Sequence, residues 1–136
     1  MNGDDFNLKN YQDRISKWIT EGIKDTEVVQ FADEFGRFIS MNRLTTSQIR
    51  NVFGEMRRIQ MKGFDSERTS FILLKPKLAY AVKRHGGKGL SKFYDLFKMA
   101  YESVNPSKDG ASTRYDNFIS LVEAILAFHK FHGGKE

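Results

Sequence analysis

The chain has 136 residues, 22 Lys/Arg against 17 Asp/Glu for a net charge of +5, and no cysteine. That length suits one domain, 1–136, with a genuine core, and 12 phenylalanines with 40% hydrophobic residues exclude a disordered tail. The missing cysteine excludes disulfides, thiolate zinc sites and cysteine nucleophiles.

The start, Met1-Asn2-Gly3-Asp4-Asp5, is polar and acidic, unlike a signal peptide. No apolar run approaches the roughly 18 residues of a membrane span, so the expectation is a soluble, cytoplasmic protein with no membrane partner. Two prolines and repeated helical periods predict an all-α fold, a compact bundle of about five to six helices. The first helix runs from about Leu8 to Glu21, with Tyr11, Ile15, Trp18 and Ile19 on one face and Gly22 as its stop. Thr26 caps a second, which turns Val28, Phe31, Ala32, Phe35, Phe38 and Ile39 inward. Gly36 within it lowers helix propensity by roughly 1 kcal/mol relative to Ala and marks close helix packing.

After the connector Met41-Asn42-Arg43-Leu44, Thr45-Thr46-Ser47-Gln48 reads as a capping box, with Thr45 as cap and Gln48 reaching back. The helix that follows puts Ile49, Val52, Phe53, Met56 and Ile59 on one stripe and ends at Lys62-Gly63. Ser66 opens the next pattern, with Phe71, Leu74, Leu78, Ala81 and Val82 inward. Pro76 falls inside it and predicts a kink or restart at Lys75. His85-Gly86-Gly87 ends that element. Helices near Leu90–Val104 and Ala111–His132, separated by Asn105-Pro106-Ser107, complete the fold, and Gly133-Gly134 reads as a helix stop and frayed tail. The expected core gathers Ile49, Val52, Phe53, Leu78, Phe97, Ile119, Val122 and Ile125.

Chemistry is sparse along the chain. No glycine-rich loop follows a strand. His129 and His132 are three apart on a helix, a spacing that suits one metal, but only Glu123 and Glu136 stand near as carboxylates, and packing or surface roles are favoured. Asp33-Glu34 and Asp4-Asp5 are adjacent pairs that do not converge on one substrate and read as solvated charges. Phe31, Phe35 and Phe38, like Phe93, Phe97 and Tyr101, recur at core spacing. No cofactor and no catalytic residue is implied.

The charge is unevenly placed. Residues 41–92 hold 12 Lys/Arg and 3 Asp/Glu, a local +9 that leaves the flanks at −4. A basic block in a helical region is the footprint of a protein that holds a nucleic-acid backbone, and it is equally compatible with solvated helix faces. Arg50 and Arg57 are seven apart and share a face beside the apolar stripe, as do Lys77 and Arg84. Tyr80 lies between the latter two, placed for base stacking or phosphate contact.

Three blocks resemble a known family. Leu44-Thr45-Thr46-Ser47-Gln48-Ile49-Arg50-Asn51-Val52-Phe53, then Leu73-Leu74-Lys75-Pro76-Lys77-Leu78-Ala79-Tyr80-Ala81, then Phe118 through Glu123-Ala124-Ile125-Leu126-Ala127-Phe128-His129-Lys130-Phe131 are similar, in that order, to the small subunit of the type III-A CRISPR effector, the Csm complex. They cover most of residues 44–134; residues 1–40 carry no part of the resemblance. It implies a helical subunit without catalytic activity, stacked in several copies with further copies of itself. Its implied partners are crRNA, target RNA and the backbone and large subunits of the effector. Joined to the charge pattern, it gives Arg50, Arg57, Arg58, Lys75, Lys77, Tyr80 and Arg84 as candidate RNA contacts. Two other readings stay open: a DNA-binding regulator that reads a groove with Thr46, Ser47 and Gln48, and a hydrolase using His129, His132 and a metal.

Overall fold

Each apolar stripe in the sequence becomes the buried face of a helix. The computed structural model describes residues 5–135; the acidic start through Asp4, and Glu136 with its proposed link to the histidines, lie outside the described residues. A short 3-10 turn (Leu8–Tyr11) leads into α1 (Gln12–Glu21), followed by α2 (Glu27–Met41), α3 (Thr46–Lys62), α4 (Arg68–Ile72), α5 (Leu74–His85), α6 (Lys88–Val104) and α7 (Ala111–Phe131). Because α4 has only five residues, six helices carry the fold, and no strand occurs among the described residues.

The helix α7 is the axis. It buries Tyr115, Phe118, Ile119, Leu121, Val122 and Ile125, an arc wide enough to face several neighbours at once. Along it lie α2, α1, α6 and α3, and α5 packs on α3 and α6. The α2–α7 contact is the closest. A β-carbon on Gly36 would stand 2.8 Å from the His129 amide nitrogen and 2.9 Å from the Ile125 carbonyl, so only glycine lets these two backbones meet.

Polar side chains of α7 then tie it to the others. The Tyr115 hydroxyl donates to the Met56 carbonyl of α3 at 2.7 Å; burial pushes its pKa well up, so it stays a neutral donor. Asn117 Nδ2 donates to the Ile19 carbonyl at the end of α1 at 3.0 Å. Arg114 satisfies four carbonyls of the α6–α7 turn, among them Val104 at 2.7 Å and Lys108 at 2.8 Å, acceptors that a helix end otherwise leaves open. The buried His129 donates from Nε2 to the Leu44 carbonyl.

The capping box forms as expected: Thr45 Oγ1 accepts from the Gln48 amide at 3.3 Å while Gln48 Oε1 accepts from the Thr45 amide at 2.8 Å. Pro76 sits in the first turn of α5, where a missing N–H costs no helix bond, and the chain breaks just before it at Leu73. The Ile72 carbonyl at the end of α4 accepts from the Tyr101 hydroxyl at 2.8 Å.

Several expectations are corrected. Phe53 is only half-buried, because it sits at the edge of the α3 stripe where α7 leaves a groove. Thr26 makes no capping bond; Asp25 Oδ1 accepts from the Glu27 amide at 2.9 Å in its place. Ser66 precedes its helix, since its hydroxyl turns back onto the Gly63 carbonyl at 3.0 Å. The helix α6 starts at Lys88 rather than near Leu90. Gly133 does stop α7, with φ 90°, but the tail is docked rather than frayed. The Gly134 amide donates to the His129 carbonyl at 2.8 Å, and the Lys135 carbonyl accepts from the Thr46 amide at 2.7 Å. Asp33 and Glu34 are not merely solvated: Asp33 accepts from His132 Nε2, and Glu34 from the Tyr11 hydroxyl at 3.3 Å.

Two glycines inside helices should respond to alanine with opposite sign. Gly36→Ala should lose about 1–3 kcal/mol through overpacking despite its better helix propensity. Gly54→Ala, where nothing lies within 4 Å of the new β-carbon, should gain about 0.5–1 kcal/mol. Urea unfolding of both variants against wild type measures this. In the same assay Phe53→Ala should cost about 1–2 kcal/mol, below the range for a fully buried Phe.

Candidate nucleic-acid interface

The exposed face of α5 is set by its buried one. Leu74 and Leu78 anchor the helix, so Lys77, Tyr80 and Arg84 turn outward on successive turns. Across from them α3 presents Gln48, Asn51 and Glu55, and the two helices border an open groove of ≈ 610 Å³. The Tyr80 ring is 65% exposed, unusual for so large a side chain without a partner. Lys77 Nζ stands 3.9 Å from Glu55 Oε2, and Arg84 is exposed at the groove's end.

The other candidates face elsewhere. Arg50 borders the apolar groove between α3 and α7, with Ile49, Phe53 and Leu126. Arg57, two turns along the same face, donates to Glu123 of α7 at 2.7 Å; half-exposed, that pair contributes about 0–1 kcal/mol. Lys75 points away from Lys77, with its ammonium 5.9 Å from the Tyr101 ring centroid. Arg58 is held within the fold. It grips both oxygens of Glu55 at 2.9 Å, Glu67 at 2.7 Å and the Ser70 hydroxyl at 3.1 Å, bracketing α3 to α4. The Arg58 guanidinium hydrogen bonds hold both carboxyls below the usual carboxylate range, and its own pKa is raised in turn. The structure thus brings together Lys77, Tyr80 and Arg84, and spreads the other four over three further surfaces.

Other chemistries find little support. His129 and His132 bond to Leu44 and Asp33 respectively, and no group of three or more metal-ligating side chains occurs among the described residues. A groove-reading α3 would need free side chains at its start, but Gln48 is engaged in the capping box and the Ser47 hydroxyl lies 3.2 Å from Thr45 Oγ1. No helix among the described residues is long and apolar enough to cross a membrane.

A family model described as Csm2 Type III-A matches residues 23–135 of this chain. The chain belongs to the Csm2 family. No curated protein and no solved structure matches it. Csm2 is the small, non-catalytic structural subunit of the type III-A Csm complex, a CRISPR effector that assembles with crRNA and other Cas proteins. The match begins within the segment before α2, so this helix, whose phenylalanines read only as core, is also part of what makes the chain a Csm2 protein. Sequence reading passed over Gln48, Asn51 and His85 as groove residues. For the two on α3 the spacing held the signal, since 48, 51 and 55 recur on one edge of its stripe.

The Arg58 bracket makes this Csm2 subunit acid-sensitive in a defined direction. Glu55 and Glu67 have depressed folded-state pKa values, so their contribution is present above the unfolded value and is lost as pH falls through the folded one. The stability difference between wild type and Arg58→Gln should be fully present at about pH 6 and shrink as pH falls below the ordinary glutamate range. Thermal melts across that range test it.

Proposed function

We propose that this subunit holds the sugar-phosphate backbone of target RNA paired to crRNA through Lys77, Tyr80 and Arg84, as one of several copies stacked along the Csm complex. The observation that carries the reading is the outward face of α5, where two cations flank one exposed aromatic ring. Lys77 and Arg84 are separated by about 10 Å of helix rise, roughly the span of three stacked bases. Arg suits bidentate phosphate contact and Lys acts as a point charge. Such contacts follow backbone shape and carry no sequence information, as a guide-programmed complex requires. Arg50 and Arg57 form a second basic edge on the α7 side, whereas Arg58 and Lys75 are placed to hold α3, α4 and α6 together. Stacking calls for different surfaces at the subunit's two ends, since a head-to-tail contact that does not close propagates.

Filter binding of the assembled complex across a salt series tests this. Lys77→Ala and Arg84→Ala should each lower the log–log salt slope by about 0.7–0.9 per subunit copy, to the same extent for unrelated guide-matched targets. Arg58→Ala should leave the slope unchanged and lower the melting temperature. An unchanged slope in the Lys77/Arg84 double variant, or a loss confined to one target sequence, would sink the reading.

A further inference from the structure

The helix α2 ends in a turn with an unusual occupant. The Arg43 amide donates to the Ser40 carbonyl at 3.2 Å and the Leu44 amide to the Ile39 carbonyl at 3.0 Å, the paired bonds of a Schellman motif. The residue at its left-handed position is usually glycine, because a β-carbon there crowds the following carbonyl. Here it is Arg43, at φ 69°. Among the described residues glycine holds the other positive-φ positions, Asn105 excepted; at this one the chain tolerates strain and has an arginine. The Arg43 side chain is exposed, and no hydrogen bond or ion pair among the described residues uses its guanidinium. Nothing in the fold accounts for it.

Its position does. Arg43 lines a shallow cleft with Gln48, His85, Gly86, Gly87 and Lys88, a lining that contains no carboxylate. Gln48 and His85 also line the groove of Lys77, Tyr80 and Arg84, so the cleft continues that groove around the α5–α6 corner. The corner itself is bare: at Gly86 and Gly87 nothing lies within 4 Å of where a β-carbon would stand. Lys88 also lines the cleft, with its ammonium leaning toward the Phe38 ring, 5.8 Å from the centroid, and toward Asp5, whose carboxyl Lys92 and, to a lesser degree, Lys88 hold below the usual range. Arg43 is therefore the cation that faces the cleft without a carboxylate beside it. We infer that Arg43 and Lys88 form a second phosphate-binding lobe, into which the RNA backbone held by Lys77 and Arg84 continues past Gly86-Gly87. The inference rests on the groove reading above and adds a site to it: a place for one or two more phosphodiesters, with an arginine retained at the expense of the turn.

That conflict between turn and ligand gives the test two readouts that move in opposite directions. Arg43→Gly relieves the backbone and should raise the melting temperature of the full chain by about 1–4 °C. In the assembled complex the same change should weaken guide-matched target RNA binding about 3–10-fold at low salt. It should also lower the salt slope by about 0.7–0.9 per copy. Arg43→Lys keeps both charge and strain, and should stay near wild type in both measurements. If Lys77→Ala lowers the slope and Arg43→Gly does not, the lobe is wrong and the groove stands; if neither does, both fall. A lowered melting temperature in Arg43→Gly would make Arg43 a structural residue and overturn the inference.

Discussion

The backbones of α2 and α7 meet at Gly36, where no side chain larger than a hydrogen fits between them, and the remaining geometry follows from that contact. It fixes α7 against α2 at Ile125, Phe128 and His129. From there the rest of α7 presents Tyr115 to the middle of α3, Asn117 to the end of α1 and Arg114 to the end of α6. The buried His129 reaches the Leu44 carbonyl just ahead of α3, so the same contact helps set where α3 begins. A core of aromatic and branched side chains supplies the bulk of the driving force, but it is non-directional. The register between helices comes from these polar ties and from one close approach.

The basic segment divides its charges between two tasks. Arg58 is surrounded by Glu55, Glu67 and Ser70 and acts as a bracket; Arg57 is paired across to Glu123. Lys77 and Arg84 remain available on an open face, with Tyr80 between them. A local +9 therefore does not describe the field that a nucleic acid meets. Glu123 of α7 offsets Arg57 on one side of α3, and Glu55 stands 3.9 Å from Lys77 on the α5 side, so the positive surface is uneven rather than uniformly basic.

Much of this is legible in the residues. The capping box at Thr45, the stop at Gly63, the restart around Pro76 and the close packing at Gly36 each follow from a local rule in which one effect outweighs the rest. The family resemblance rests on blocks that cover α3, α5 and α7, and the family match extends over α2 as well. What is not legible depends on partners far away in sequence. Phe53 has the right period for the core, yet α7 stops short of covering it. Gly133-Gly134 looks like a frayed end because docking onto Thr46 and His129 is invisible to any local window. Cations recurring at helical spacing through α3 and α5 look like one rail. Only the angle between α3, α5 and α7 shows that they occupy four surfaces.

The central place of α7 also sets the order in which the chain can fold as it is made. Its partner α2 is synthesised first, and all of α3, α4, α5 and α6 lies between them. At ribosomal speeds of about 5–20 residues per second, α2 waits several seconds for the helix that covers it. During that interval its phenylalanines have only local company. Phe31 stacks on Phe35 at 5.5 Å, and Phe6, Tyr11 and Trp18 close around them at 4.9–5.9 Å. All of these rings belong to the first elements of the chain. The aromatic cluster is thus a part of the core around α2 whose partners are all made before α7.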